Sequence, residues 1–294
     1  MKELIKKFSL KGKISIVAGG SGIIGSQTVN TLLAAGSKVI NIDNFNSIKK
    51  TKNYFYHQVN IDSENNIIQF KNKFIKKYKK LHILINHAHY RGSAKKIIPK
   101  QPFFEKLDQY PTKEWQQTIN TNLNGLFFIT KHFINLLIKN KKSVILNTSS
   151  IYGKVSPNKN VYGKTGINSP IGYATTKAAI IGFTKYIATH YGDKGLRANI
   201  LIPGGIKSKG QPKEFRKNYT NLTPLKRMAE KNEYKEAILF LVSDASSYTS
   251  RNYYCRCPTC GSNADGDGTV IMDCSHGTYP IMYTFFNFNL ELSV

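Results

Sequence analysis

Lys13-Ile14-Ser15-Ile16-Val17-Ala18-Gly19-Gly20-Ser21-Gly22-Ile23-Ile24-Gly25 is the stretch on which the fold turns. Its first six residues form a short apolar, β-branched run, which reads as a buried strand. The run ends on glycines, which tolerate a tight turn. From Ile24 to Ala35 the apolar residues follow helical spacing, and Gly36 ends the pattern. Lys38-Val39-Ile40-Asn41-Ile42-Asp43 is a second strand. Outward from this unit, further strands fall at Leu81–Asn86, Ser143–Asn147 and Ala198–Ile202, the last closed by Pro203-Gly204-Gly205. Helical stretches occupy roughly 61–79, 113–140, 173–191 and 230–242. Strands alternating with helices imply an α/β chain with a doubly wound parallel sheet. The chain shows no internal repeat.

The turn carries chemistry as well as shape. Gly20-x-Gly22-x-x-Gly25 follows a strand and opens a helix, which is the setting of a Rossmann-type dinucleotide site. Glycine lets the backbone approach a pyrophosphate, and the helix start offers free N–H groups and a positive dipole end. The candidate cofactor residues are therefore Gly19, Ser21, Gly22, Ile23, Ile24 and Gly25. Asp43 ends the second strand, where a carboxylate can bond both ribose hydroxyls and repel a 2′-phosphate. Asn44 follows it, with no arginine, so NAD is expected ahead of NADP.

Composition narrows the class. The 294 residues, 40% of them apolar, suit one domain with a sizeable core. No run of 18 apolar residues is present, so no membrane span is expected. The segment Met1 to Lys13 is broken by lysines and lacks the pattern of a signal peptide, which makes the cytoplasm the expected location. The net charge of +26 admits a nucleic-acid partner. The lysines, however, are spread as pairs along the chain, as on solvated faces, and that reading is preferred to nucleic-acid binding. A small-molecule substrate is the expected partner.

Tyr173 and Lys177 lie four apart at the start of a helical stretch, which puts them on one face. A nearby ammonium favours the phenolate and lowers the tyrosine pKa, so the pair can act as general acid and base. They follow Asn147-Thr148-Ser149-Ser150 at a strand end, where sites gather in parallel sheets. Over roughly residues 8–250 the chain resembles the short-chain dehydrogenase/reductase family. The resemblance rests on Gly19, Gly22 and Gly25; Asn86-His87-Ala88-His89; Asn122; Ser150; Tyr173 and Lys177; and Pro203-Gly204 with Ser208.

That resemblance implies a hydride transfer between NAD(H) and a hydroxyl or carbonyl carbon. It makes Tyr173 the acid/base and gives Lys177 the nicotinamide ribose and the lowering of the tyrosine pKa. Ser150 would bond the substrate oxygen, and Asn122 would hold a water of the proton relay. Asp62, after the third strand, would contact adenine. Asn86, Ala88, Pro203, Gly204, Ile206 and Ser208 would complete the cofactor site. The family also implies a homodimer or tetramer. Two departures stand out. Ala18 replaces a usual threonine whose hydroxyl braces the turn, and His87 and His89 replace an asparagine and a glycine. Bulk at 89 either crowds the cofactor edge or repacks locally; no metal site is expected there.

Ser150 and Tyr173 are 23 positions apart, a longer interval than the family's usual one. The extra loop, 154–171, should lie beside the active site, and its polar and aromatic groups suit a hydroxylated ligand. The segment 149–206 is similar to a subgroup linked to bacterial surface sugars, including flagellin glycans and legionaminic-type acids. Gln211-Pro212-x-x-Phe215 resembles that subgroup's substrate lid. A sugar-derived substrate is expected, with Ser150, Tyr162 and Tyr173 against it.

After residue 250 the pattern breaks. The family has a glycine and then a last strand; this chain has Arg251-Asn252-Tyr253-Tyr254-Cys255-Arg256-Cys257. All four cysteines, Cys255, Cys257, Cys260 and Cys274, lie in this tail. The division is therefore a catalytic domain at 1–250 and an atypical tail at 251–294. Three readings of the tail stand open. One codon set for Asn252–Cys257, read one base later, encodes Ile-Ile-Ile-Val-Asp, the expected strand, which points to a shifted frame. Cys255, Cys257, Cys260, Cys274 and His276 could alternatively hold zinc, or the tail is a genuine extension. Without the last strand its neighbour becomes an exposed edge, putting a tetramer in doubt. The alternatives to an active enzyme are an impaired protein that keeps the fold, or a basic zinc and nucleic-acid-binding module.

Overall fold

The computed structural model describes residues 2–92, 101–165, 167–251, 253–255 and 271–272. In chain order the helices are α1 (Lys2–Phe8), α2 (Ile23–Ala34), α3 (Glu64–Lys77), α4 (Thr112–Ile119), α5 (Gly125–Ile138), α6 (Ile171–Tyr191), α7 (Lys213–Leu222) and α8 (Lys235–Val242). The strands are β1 (Ile14–Ala18), β2 (Lys38–Asp43), β3 (Tyr54–Gln58), β4 (Ile83–Asn86), β5 (Ser143–Thr148), β6 (Leu196–Ile202), β7 (Tyr253–Cys255) and β8 (Ile271–Met272). They form one sheet in the order β3-β2-β1-β4-β5-β6-β7-β8, and each neighbouring pair is parallel. The doubly wound parallel sheet expected from the sequence is present.

Successive strand residues point to opposite faces, and both faces are covered. Ile16, Ile40, Leu84 and Ile145 pack with Phe70, Phe74 and Phe133 of α3 and α5. Val17, Val39, Ile85 and Val144 pack with Val29 and Leu32 of α2 and with Ile238 and Leu241 of α8. This double cover is why the strands read as continuous apolar runs. The chain winds outward from β1 to β3 and then crosses to β4. The switch point therefore lies between β1 and β4, where their carboxyl ends splay a crevice.

Several boundaries differ from expectation for local reasons. The long helix expected at 113–140 is two α-helices joined by a π-turn at Asn120–Asn124, a one-residue insertion that periodicity hides. α3 starts at Glu64 because Ser63 caps it, its hydroxyl accepting from Asn66 N at 3.4 Å. The last helix starts at Lys235, later than expected, because the residues before it form turns. β3 is an aromatic edge strand, half-buried, without clean alternation. Among the described residues no helix is long and apolar enough to cross a membrane.

The expected bare edge on β6 is corrected. The backbone of Tyr253, Tyr254 and Cys255 pairs in parallel with Ile200, Leu201 and Ile202. The chain reaches that position through Arg251, whose φ of 67° is left-handed and whose N–H donates to Ala198 O at 2.8 Å. The remaining cysteines Cys257, Cys260 and Cys274, and His276, lie outside the described residues.

Candidate active site

The glycine turn leaves β1 and enters α2 at the switch point. Gly19 has φ 78°, and a Cβ there would fall 2.4 Å from Ala88 N; glycine is required by both the conformation and the approach of β4. Gly25 is required by packing, since its Cβ would lie 2.0 Å from Gly19 O. Gly22 differs. Its Cβ would meet only Gly19 O at an ordinary 3.4 Å, so it faces open cleft. Gly22 is also the N-cap of α2 and offers no side-chain cap, leaving the first helical N–H groups of Ile23, Ile24 and Gly25 directed at the cleft. These features fit a pyrophosphate.

Asp43 ends β2 beside the turn. Its Oδ2 accepts from Ser21 N at 2.9 Å and its Oδ1 from Asn44 N at 2.8 Å, which fixes the carboxylate at the cleft edge. The Ser21 hydroxyl donates to Phe45 O at 2.6 Å, so the turn and the chain after β2 are tied together. Phe45 is exposed and lines the cleft, a residue the sequence did not single out. Asp62 also lines it, held by Gln117 Nε2 at 2.6 Å.

Ala18 lacks the bracing hydroxyl, but its carbonyl accepts from His87 N at 2.9 Å and Ala88 N at 3.0 Å. His87 then braces the turn from another direction. Its buried ring lies between Thr28 Oγ1 of α2, 2.9 Å from Nε2, and Thr148 Oγ1 of β5, 2.7 Å from Nδ1. Thr28 Oγ1 already donates to Ile24 O, so His87 Nε2 carries the hydrogen and Nδ1 accepts from Thr148. Both nitrogens are thus used. Burial pushes the ring's pKa down to about 3, helped by the charge of Lys177.

The cleft, about 760 Å³, runs from the turn to the carboxyl end of β5. At its far end stand Ser150, Tyr173 and Lys177. Ser150 begins the short turn after β5, and its hydroxyl bonds the Tyr173 phenol. Lys177 is buried, its Nζ donating to Thr148 O at 2.8 Å and lying 5.5 Å from the Tyr173 ring centre. Burial lowers its pKa to about 7. Tyr173 moves the opposite way from expectation. Burial raises its pKa, and the Ser150 hydrogen bond offsets only part of the rise. Desolvation of the phenolate, with a smaller contribution from Tyr162, outweighs the Ser150 bond in this site.

Pro203, Gly204, Ile206 and Ser208 line the same wall. Two tyrosines that the sequence reading missed hold this segment. Gly204 N donates to Tyr234 Oη at 3.1 Å, and Gly205 N to Tyr219 Oη at 2.5 Å. Phe215 and Tyr219, four apart on α7, face the cleft. Their i, i+4 spacing was the available signal.

Three expected residues lie elsewhere. Tyr162 does not line the cleft; it is buried one layer behind, its ring 5.4 Å from that of Phe215. The extra loop is packed, with Val161, Tyr162 and Ile167 in a cluster with Ile200, Ile202 and Tyr219, and Tyr152 takes the cleft position instead. Asn86 is buried under the floor, donating to Asn147 Oδ1 at 2.7 Å. Asn122 is buried there too. Its Oδ1 accepts from Tyr90 N at 2.7 Å and its Nδ2 donates to Thr176 Oγ1 at 3.0 Å, so its side chain is committed. Ala88 remains in the cleft wall.

This arrangement agrees with the comparisons. The family model described as enoyl-(acyl carrier protein) reductase matches residues 18–254. A 3-oxoacyl-[acyl-carrier-protein] reductase of Thermotoga maritima is 28% identical over 253 residues, 82% of this chain and 94% of the relative. A short-chain dehydrogenase of Leptospira borgpetersenii with bound NAD+ superposes with TM-score 0.74 at 30% identity, covering 86% of this chain and 93% of that one. An aldohexose dehydrogenase of Thermoplasma acidophilum shares the fold, with TM-score 0.71 at 24% identity, over 85% of this chain and 94% of its own. With the matched family model spanning most of the chain and the glycine turn, Ser150, Tyr173 and Lys177 around one cleft, the protein is an oxidoreductase of the short-chain dehydrogenase/reductase family.

Proposed function

We propose that the chain interconverts a hydroxyl and a carbonyl on a sugar or sugar derivative, using NAD(H). One observation carries the reading: a single cleft holds the glycine turn and Asp43 at one end and Ser150, Tyr173 and Lys177 at the other. The exposed N–H groups of Ile23, Ile24 and Gly25 suit the pyrophosphate, and the fixed carboxylate of Asp43 suits a ribose diol and opposes a 2′-phosphate. The relative from Leptospira borgpetersenii with NAD+ supports the same preference.

A bound nicotinamide supplies or receives the hydride. The chain manages the proton. In the reducing direction Tyr173 Oη, a neutral phenol, donates its proton to the substrate oxygen as the carbonyl carbon gains hydride. Ser150 Oγ holds that oxygen. Lys177 Nζ, with a pKa near 7, can return a proton towards Tyr173 and would hold the nicotinamide ribose of a bound cofactor. Asn122 would hold a water of the proton relay; with its side chain committed to Tyr90 N and Thr176 Oγ1, that role falls to its main chain.

The substrate end is walled by Tyr152, Phe215, Tyr219 and His89, a mixture of ring faces and polar tips that suits a hydroxylated ring. The subgroup likeness at 149–206 and the glycine turn point the same way. The rival substrate is a 3-oxoacyl thioester, favoured by the Thermotoga maritima relative. Nicotinamide absorbance with a panel of sugars, polyols, keto-sugars and 3-oxoacyl thioesters, each with NAD(H) and NADP(H), separates them. Turnover of hydroxylated substrates with NAD(H) is expected; preference for the thioester overturns the sugar reading, and preference for NADP(H) overturns the cofactor assignment.

A further inference from the structure

We propose that His89 is a specificity-determining residue, whose Nε2 accepts a hydrogen bond from a substrate hydroxyl next to the reacting carbon. The proposal rests on the hydroxylated-substrate reading above. His89 follows a backbone fixed against the turn: His87 N and Ala88 N both donate to Ala18 O, and Ala88 N abuts Gly19. Its side chain is open to the cleft that contains Ser150 and Tyr173. Its ring stands edge-on to Tyr173, with centroids 6.1 Å apart, within reach of a molecule bonded to the phenol.

The ring's protonation follows from its partner. Nδ1 lies 3.1 Å from His87 O. A carbonyl only accepts, so Nδ1 carries the hydrogen and Nε2 presents a lone pair. Among the described residues no group bonds to Nε2. The ring's position at the cleft wall, with partial desolvation and the nearby charges of Lys177 and Arg91, disfavours a second proton. At neutral pH it is an acceptor waiting for a donor.

A hydroxyl is such a donor; a methylene of an acyl chain is not. When substrate closes the cleft, a methylene opposite Nε2 leaves a polar atom without a partner. Sites that hydrogen-bond a substrate hydroxyl discriminate strongly against analogues lacking it. The family's usual glycine at this position provides no acceptor side chain, so the selection belongs to this chain's own residue.

The test uses the full chain with NAD and two substrates: a turned-over polyol, and its deoxy analogue lacking the neighbouring hydroxyl. The readout is the ratio of kcat/KM, polyol over analogue, with NAD affinity followed by fluorescence titration. His89→Phe keeps a planar ring and loses the acceptor; the ratio should fall by about tenfold with NAD affinity within about twofold. His89→Gln restores an acceptor and should recover most of the ratio, guarding against a variant that merely misfolds. A ratio unchanged in His89→Phe, or a loss equal for both substrates that tracks NAD affinity, assigns the ring to packing or to the cofactor and overturns the proposal. If wild-type protein turns over only 3-oxoacyl thioesters, the sugar reading fails first and takes the His89 assignment with it.

Discussion

Replacing His87 by phenylalanine tests the physics that ties the cofactor turn to the sheet. The substitution keeps an aromatic ring but removes the bonds to Thr28 and Thr148. Each lost bond is worth about 1 kcal/mol, and the buried Thr148 hydroxyl left without its acceptor adds about 1–2 kcal/mol. At pH 7.5 the variant should therefore be about 3–4 kcal/mol less stable, a Tm lower by roughly 6–16 °C for a domain of this size. The pH dependence is the sharper part. His87 is held neutral in the folded state, with a pKa of about 3, against about 6.5 unfolded. Below pH 6.5 the unfolded chain takes up a proton that the folded chain refuses, so this residue lowers wild-type stability as pH falls, down to about pH 3. Between pH 7.5 and 5.0 that loss is about 2 kcal/mol, and His87→Phe does not suffer it. The gap between variant and wild type should thus shrink by about 2 kcal/mol over this range. Denaturant unfolding of both proteins at the two pH values measures the gap; taking the difference cancels the contributions of other buried histidines. A gap that stays constant refutes the neutral, doubly bonded histidine, and a gap that widens shows a native ring that is protonated.

Tyr173→Phe should lower kcat by about 10²–10⁴-fold while NAD affinity is kept, because only the proton donor is lost; a loss below tenfold would remove Tyr173 from the chemistry. Gly22→Val should leave the protein folded, with Tm within a few degrees, yet weaken NAD at least tenfold, since its side chain meets open cleft rather than protein. Gly25→Val, whose Cβ would strike Gly19 O, should fail to fold, and equal behaviour of the two variants would contradict the assigned geometry. Lys141→Gly should stabilise by about 0.5–1 kcal/mol in thermal unfolding, because exposed Lys141 holds a left-handed φ of 54°; destabilisation would show that its side chain contributes more than its backbone strains.

What was legible in the sequence is what local physics decides. The run Ile14–Ala18, the glycines after it and the helix beyond are each specified within a few residues, and the structure keeps them in place. Asp43 was legible for the same reason: a strand end beside a turn has little freedom. The π-turn at Asn120–Asn124 was not, because one extra residue barely shifts a helical pattern that stays apolar on the same side. Tyr162 and Tyr152 could not be told apart in advance, since a loop has no period to say which aromatic faces the cleft and which is buried behind it. Tyr219 and Tyr234 act through hydroxyls on Gly205 and Gly204, contacts between segments far apart in the chain. The direction of the Tyr173 shift depended on how deeply the pair is buried, a tertiary quantity that the spacing to Lys177 does not contain.

The edge of the sheet joins the two lines of argument about the tail. Parallel pairing of β6 with β7 uses main-chain groups alone, so any extended segment that reaches the edge can form it, and Tyr-Tyr-Cys is a fair strand former. The strand's presence is therefore compatible with either a genuine extension or a shifted frame. Arg251 is more discriminating. The path from Ser250 into β7 needs a left-handed residue, as the φ of 67° records, and the family's usual glycine meets that need without strain. Arginine there pays about 1–2 kcal/mol for the same backbone. Upstream, Arg197 donates to Leu241 O, Thr249 O and Ser243 O, and Asn199 Nδ2 to Thr249 O, so the approach to residue 251 is fixed by side chains that fit it. The mismatch between backbone and residue type begins at Arg251, the position where the sequence first leaves the family pattern, and that coincidence favours a change in the encoded residues over a change in the fold's requirements.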